Sequence, residues 1–251
     1  EMIAALPWIR VTAADDGRYV TSSRTEAHRL ASAFVKQSEL DGVGMTETIK
    51  ERLALRDDTP LAPRHLARAI FALDPMCLLH GVFFADSAWP GQPKVAMTGA
   101  VEAHDVAEAV SGGVKFDRVR HSLGESEGGT AEGYGTVPFH RMEFTARSIE
   151  ATFVLDLAQL DAYGLPEGPR DLLEALALWE VRSLIDGGMR LRTACDLEPI
   201  EAADLSELPE AAELEDRIGT AITASGDLLP TTGPIDVIWS GGKASKKKGE
   251  K

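Results

Sequence analysis

The chain has 251 residues, enough for one large or two small domains, with 44% hydrophobic and 26% charged residues, as in ordinary globular proteins. No apolar run approaches the ~20 residues needed to span a membrane, so no membrane partner is expected. Two cysteines, Cys77 and Cys195, make no disulfide framework, and a reducing cytoplasm is the expected compartment. The first residue is Glu1 and not methionine, so native residues are expected upstream of it. The net charge of −14 opposes simple binding to a polyanion, but it is unevenly spread. Nine acids and no base fall between Asp196 and Asp216; without them the charge is −5. Lysines 243, 246, 247, 248 and 251 form a basic tail. Binding follows local potential, so the total weakens a nucleic-acid reading without closing it.

A strand is expected at Trp8 to Thr12, then a turn at Asp15-Asp16-Gly17 and a second extended piece at Arg18 to Thr21. Ala27, Leu30, Ala31 and Phe34 follow i, i+3, i+4, i+7 spacing, predicting one helix over 25–37 capped by Ser23 or Thr25. His28 and Arg29 start off its apolar face, as solvated residues or ligand contacts. Short helices are expected at 46–55 and 64–73, the second ended by Asp74-Pro75. The apolar run Met76 to Ala85 reads as a central strand and 95–101 as a second. A short helix is expected over 104–110. Alternation at Ile149 to Leu157 predicts a half-buried strand. The strongest helix spans 169–186, with Leu172, Ala175, Leu176 and Trp179 on one face and Gly187-Gly188 at its end. A strand over 189–197, a helix over 209–223 and a last short strand at 235–239 complete the series. The strand at 149–157 and the helix at 169–186 are expected in one sheet domain. Helices spaced among strands give an α+β body, best fitted by a split βαβ, RRM-like (ferredoxin-like) arrangement.

The stretch from Ser111 to Ser148 stands apart. Seven of its first 25 residues are glycine, against 23 in the whole chain, so it is no regular helix. Lys115, Phe116, Arg118, Arg120, His121, Tyr134, Phe139, His140, Arg141 and Arg147 are set among or after those glycines. Glycines admit close backbone approach, cations meet phosphates, and rings stack on bases. The stretch reads as a nucleic-acid-gripping arm, ordered by binding; the ordinary alternative is a solvated surface loop.

Catalytic and metal signatures are not found. There is no HExxH, CxxC, G-x-S-x-G or phosphate loop. Cys77 and His80 share a C-x-x-H spacing, but on a predicted strand an odd spacing sends them to opposite faces, so core packing of Cys77 is the better reading. Neither a metal nor a cofactor is expected.

The segments SGGVKFDRV, SEGGTAEGYGTVPFHRMEFTA, IEATFVLDLAQL, ALALWEVRSLIDGGMRLRTACDLE and LDPMCLLHGVFFA resemble one branch of the CRISPR-associated RAMP superfamily. That branch is the backbone (Cas-seven-type) subunit of type I-U, or I-G, surveillance complexes, and the resemblance runs over roughly 25–198. It implies a palm with a helical insertion (38–75) and a Gly-rich, thumb-like arm (111–148). With the acidic segment (196–223), these lie in one RRM-like domain over 1–240, before the basic tail at 241–251. It also implies a filament of identical subunits along a CRISPR guide RNA (crRNA), target DNA paired to the guide, and other subunits of the interference complex as partners. Lys115 in GGVK, with His140 and Arg141 in PFHR, fall on the matched motifs and become candidate RNA contacts. Arg118, Arg120 and Arg147 join them on charge, and Arg190 and Arg192 by their place on a predicted strand. The acidic segment and lysine tail match no pattern of the family.

Two other functions compete. Related type III backbone subunits cut RNA with an aspartate, and Asp74 and Asp117 are loop aspartates to weigh for a metal-dependent endonuclease, though no partner group can be named for either. The acidic segment would alternatively make the chain an interaction module for a basic protein, against the ordinary reading of a solvated helix face.

Overall fold

The alternating run Trp8–Ala13 forms β1, with Ile9, Val11 and Ala13 buried and the residues between them only half-buried. The protein is described here by a computed structural model covering residues 2–95, 100–119, 135–192, 195–197, 207–230 and 232–241. After the turn at Asp15–Gly17, β2 (Tyr19–Ser22) returns antiparallel to β1. A 3-10 turn at Arg29–Ala31 and the single-turn α1 (Ala33–Lys36) follow, in place of one helix over 25–37. The break has a local cause. Arg29 takes a left-handed φ of 48°, and Ser32, not Ser23 or Thr25, caps α1 by accepting from Val35 N at 3.2 Å. Two short strands, β3 (Ser38–Leu40) and β4 (Val43–Gly44), pair around Asp41-Gly42.

Helix α2 (Met45–Arg52) buries Met45 and Ile49 one turn apart, and α3 (Pro63–Leu73) buries Leu66, Ala67, Ile70, Phe71 and Leu73. The run from Met76 is no central strand. It is a helical turn, α4 (Met76–Leu79), then the two-residue β5 (Val82–Phe83). Asp74 and Pro75 start that turn: Asp74 Oδ1 accepts from Met76 N at 3.1 Å and Asp74 O from Cys77 N at 3.1 Å. A short apolar run fits a strand or a buried helical turn equally, and the chain's hydrogen-bonding decides. β5 pairs with β6 (Lys94–Val95) across the Trp89–Gly91 turn.

The expected helix over 104–110 is replaced by the end of β7 (Ala100–His104) and the start of β8 (Ala107–Val119). Ladders with β9 (Gly135–Thr145) and β10 (Ser148–Thr152) override the helix propensity of this alanine- and glutamate-containing stretch. β10 stops at Thr152. Ile149 and Phe153, expected to be half-buried, are 42% and 43% exposed. An unforeseen helix, α5 (Leu157–Ala162), begins where Asp156 caps Gln159 N at 3.0 Å.

α6 (Glu167–Asp186) is the longest helix among the described residues. It ends at Gly187, and Gly188 takes the left-handed φ of 72° that a side chain would oppose. The expected strand over 189–197 is two, β11 (Met189–Arg192) and β12 (Cys195–Leu197), paired antiparallel. α7 (Ala211–Ser225) buries Leu214, Ile218, Ala221 and Ser225 on one stripe against α6. Gly168 marks how closely these two helices approach: a Cβ there would lie 2.7 Å from the Ala224 carbonyl. Arg217 ties them across the surface through Asp171 and Glu174.

The last strand, β13 (Pro234–Trp239), is central. It runs parallel to β1 on one side and antiparallel to β3 on the other, giving the mixed sheet order β2-β1-β13-β3-β4. One face of this sheet meets the helices through Ile9, Val11 and Val237; Arg10 and Asp236 pair on the other through two hydrogen bonds of 2.5 and 2.7 Å. The fold class is α+β, and the mixed sheet with its helices is compatible with a ferredoxin-like palm. The chain divides into two compact units, residues 1–98 with 154–251, and residues 99–153. β10 therefore sits in the smaller unit, pairing with β7, while α6 belongs to the larger. Among the described residues no helix is long and apolar enough to cross a membrane.

Candidate nucleic-acid interface

The smaller unit is built from two antiparallel pairs, β7 with β10 and β8 with β9. The β8–β9 ribbon is its long element. Thirteen residues of β8 at about 3.4 Å each give a reach of roughly 40 Å. Its register joins the two motifs singled out in the sequence: Val114 of GGVK lies opposite His140 of PFHR, and Lys115 opposite Phe139. Arg118 lies three positions further out, opposite Thr136. Between Ser111 and Val114 the register slips, so that Gly112 and Gly113 together face the single residue Arg141. Such a bulge bends and twists the ribbon at that point, and glycine is suited to the unusual backbone it requires. A second slip falls between Glu108 and Val110.

The remaining candidates are placed differently. Arg120 lies outside the described residues. Arg147 sits in the connection between β9 and β10, exposed, with its Nε 3.2 Å from Asp105 across the turn. Nearby, His104 Nε2 lies 3.6 Å from Glu150. Arg190 and Arg192 are on β11 in the larger unit; among the described residues β11 pairs only with β12, so the expected place in the main sheet is not found. The register also slips between these two arginines. Lys115, His140 and Arg141 are thus neighbours on one ribbon, with Arg118 three positions further along it.

Asp74, weighed as a nuclease aspartate, is a structural group. It is 1% exposed, and its Oδ2 accepts from Ser23 Oγ at 2.6 Å while its Oδ1 holds the first turn of α4. Ser23 Oγ in turn accepts from Ile9 N at 3.1 Å, linking the network to β1. Burial raises the Asp74 carboxyl above the usual carboxylate range, against the pull of the Ser23 hydroxyl and the Arg24 charge. Burial also lowers Arg24, which lies 5.1 Å from the centre of the Trp8 ring. The side chain of Asp117, on β8, lies outside the description.

Cys77 packs in the core, as expected, and burial pushes its thiol well up. His80 closes the C-terminal end of α4, and its Nε2 lies 2.9 Å from Glu180 of α6. Among the described residues no group of three or more His, Cys, Asp or Glu is placed to hold a metal ion. In the acidic segment, Glu210, Glu213, Glu215 and Asp216 are exposed around α7, as a solvated face requires. Asp196 lies opposite Arg190 in the β11–β12 register.

The sequence reading missed one concavity. Phe83 and Lys94 meet across β5 and β6, beside His28 and His80, around an open groove of about 260 Å³. The signal for it was the Trp89-Pro90-Gly91 turn, which folds the end of the apolar run back as a small hairpin.

An α+β body with a mixed sheet, joined in sequence to a β-ribbon unit, is the class of molecule these observations define. Residues 1–108 match the family model described as CRISPR-associated protein GSU0053 (Cas_GSU0053), so this part of the chain is similar to a CRISPR-associated protein. The match takes in β1 to β7 and the first residues of β8; GGVK and PFHR lie beyond it. No curated protein matches the chain.

Proposed function

We propose that the chain is a non-catalytic, guide-RNA-binding backbone subunit of a type I CRISPR interference complex, of the type I-U or I-G kind. It polymerises along the crRNA and supports pairing of the guide with target DNA. The observation that supports this reading is the β8–β9 register, which brings Lys115, His140 and Arg141 to neighbouring positions of one ribbon. A ribbon with two cations at its bulge suits a phosphate backbone. The CRISPR-associated match over 1–108 supports the setting.

The nuclease alternative is weakened by the burial of Asp74, both of whose oxygens are engaged in the fold. The acidic-module alternative is weakened where acids of this segment are already paired within the chain: Glu210 with Arg182, and Glu215 with Trp179 Nε1.

The test is purification from cells transcribing a CRISPR array. A backbone subunit carries RNA of defined length, read by its 260/280 nm absorbance ratio and by gel, and that RNA stays intact when Mg²⁺ is added. Nucleic-acid-free protein that degrades added RNA only with metal would replace this reading with the endonuclease.

A further inference from the structure

The groove beside β5 and β6 lies wholly within the larger unit and within the stretch matched by the CRISPR-associated family. Its wall carries His28, His80, Phe83 and Lys94, with the Gly81 turn at its base and no carboxylate among its lining residues. Lys94 and the two imidazoles are therefore the polar side chains that a ligand in the groove would meet. Phe83 is 45% exposed, which leaves part of its ring open to the groove. Lys94 Nζ stands 5.7 Å from the centre of that ring. The wall is also fixed in place. Arg29, in its left-handed conformation, donates from Nε to Gly81 O at 3.0 Å, and so ties the His28 turn to the Gly81 turn. His80 is held from behind by Glu180. At about 260 Å³ the groove is smaller than a typical enclosed cofactor pocket, and it is open along one side.

We infer that this groove receives one unstacked nucleotide of single-stranded RNA, its base against Phe83 and its phosphate met by Lys94 and His28. The inference rests on the RNA-binding reading above and gives the body a contact of its own, separate from the ribbon. A flat ring with an adjacent ammonium and an imidazole is the sequence-tolerant combination that single strands use, since every base has a stacking face.

The experiment uses the ribonucleoprotein assembled in cells transcribing a CRISPR array, cross-linked at 254 nm and digested for mass spectrometry, with guide affinity measured beside it. A nucleotide is expected on the peptide containing Phe83. Phe83→Ala should weaken guide binding about five- to a hundredfold with the salt slope unchanged, and Phe83→Tyr should restore it. Lys94→Ala should lower the salt slope by about one. Both side chains are exposed, so thermal midpoints should not move. If wild-type protein carries RNA while Phe83→Ala and Lys94→Ala bind it as wild type does, the groove is not an RNA site and the ribbon reading stands alone. If wild-type protein carries no RNA, both fall. If Phe83→Ala loses a protein partner and keeps its RNA, the groove belongs to that protein and the inference is overturned.

Discussion

The two units of this molecule differ in what their described side chains do. The larger one is held by side chains: Phe71, Ile70, Leu172, Leu173, Leu176 and Ile218 are all at or near zero exposure, and the sheet meets them through Ile9, Val11 and Val237. In the smaller unit the regular feature is the backbone ladder of β7–β10 and β8–β9, and its described apolar residues Val106, Ile149 and Phe153 are 54%, 42% and 43% exposed. Packing makes a unit stable on its own. Among the described residues the packed apolar side chains belong to the larger unit, and the exposed ones of the smaller unit are uncommitted to the fold and available to a ligand.

Substitutions should separate the two units cleanly. Phe71→Ala, which empties a fully buried ring site in α3, should cost about 3–5 kcal/mol in chemical denaturation; a loss under 1 kcal/mol would mean that the helical layer is not the core. Gly168→Ala pushes a Cβ onto the Ala224 backbone and should cost about 1–3 kcal/mol by forcing α6 and α7 apart. An unchanged melting curve would show that this close approach does not exist.

The Arg10–Asp236 pair contributes less, because both side chains are substantially exposed. The hydrogen bonds from Arg10 hold the Asp236 carboxyl below its ordinary range. Its folded value therefore lies under the unfolded one. The stabilisation is complete above the ordinary carboxylate range and is lost as pH falls through the depressed value. Asp236→Asn should remove about 0.2–1 kcal/mol at neutral pH, and the difference from wild type should vanish in strong acid; a difference independent of pH would exclude the ion pair as its cause. In the smaller unit, Ile149→Thr should stay within about 0.5 kcal/mol of wild type. A larger loss would reveal a packed core there and erase the contrast.

The same contrast explains what could be read from the sequence. Helices α2, α3, α6 and α7 and strand β1 announce themselves because each buries a periodic face, such as Leu214, Ile218 and Ala221 of α7. Residues 76–85 lack a period, so the choice between strand and helical turn fell to the Asp74 side chain and could not be seen in advance. β3 and β4 are too short for any pattern, and 104–110 takes its form from partners some 40 residues away in the chain. For the candidate interface, residue types were legible and placement was not. That Lys115 and Arg141 belong together depends on a register with a two-glycine bulge, which no local rule supplies. Arg190 and Arg192 fall in a different unit, on β11, whose pairing with β12 no local pattern announces.

The most direct test of the account is the binding of two guide RNAs of unrelated sequence to the Lys115→Ala, Arg141→Ala double variant across a salt series. The ribbon is taken to hold the phosphate backbone, so both guides should lose affinity alike. The slope of log affinity against log salt should fall by about one for each contact removed, and the thermal midpoint should stay at the wild-type value. Unchanged affinity for both guides would contradict an RNA-binding ribbon, and a loss confined to one guide would contradict binding through the backbone.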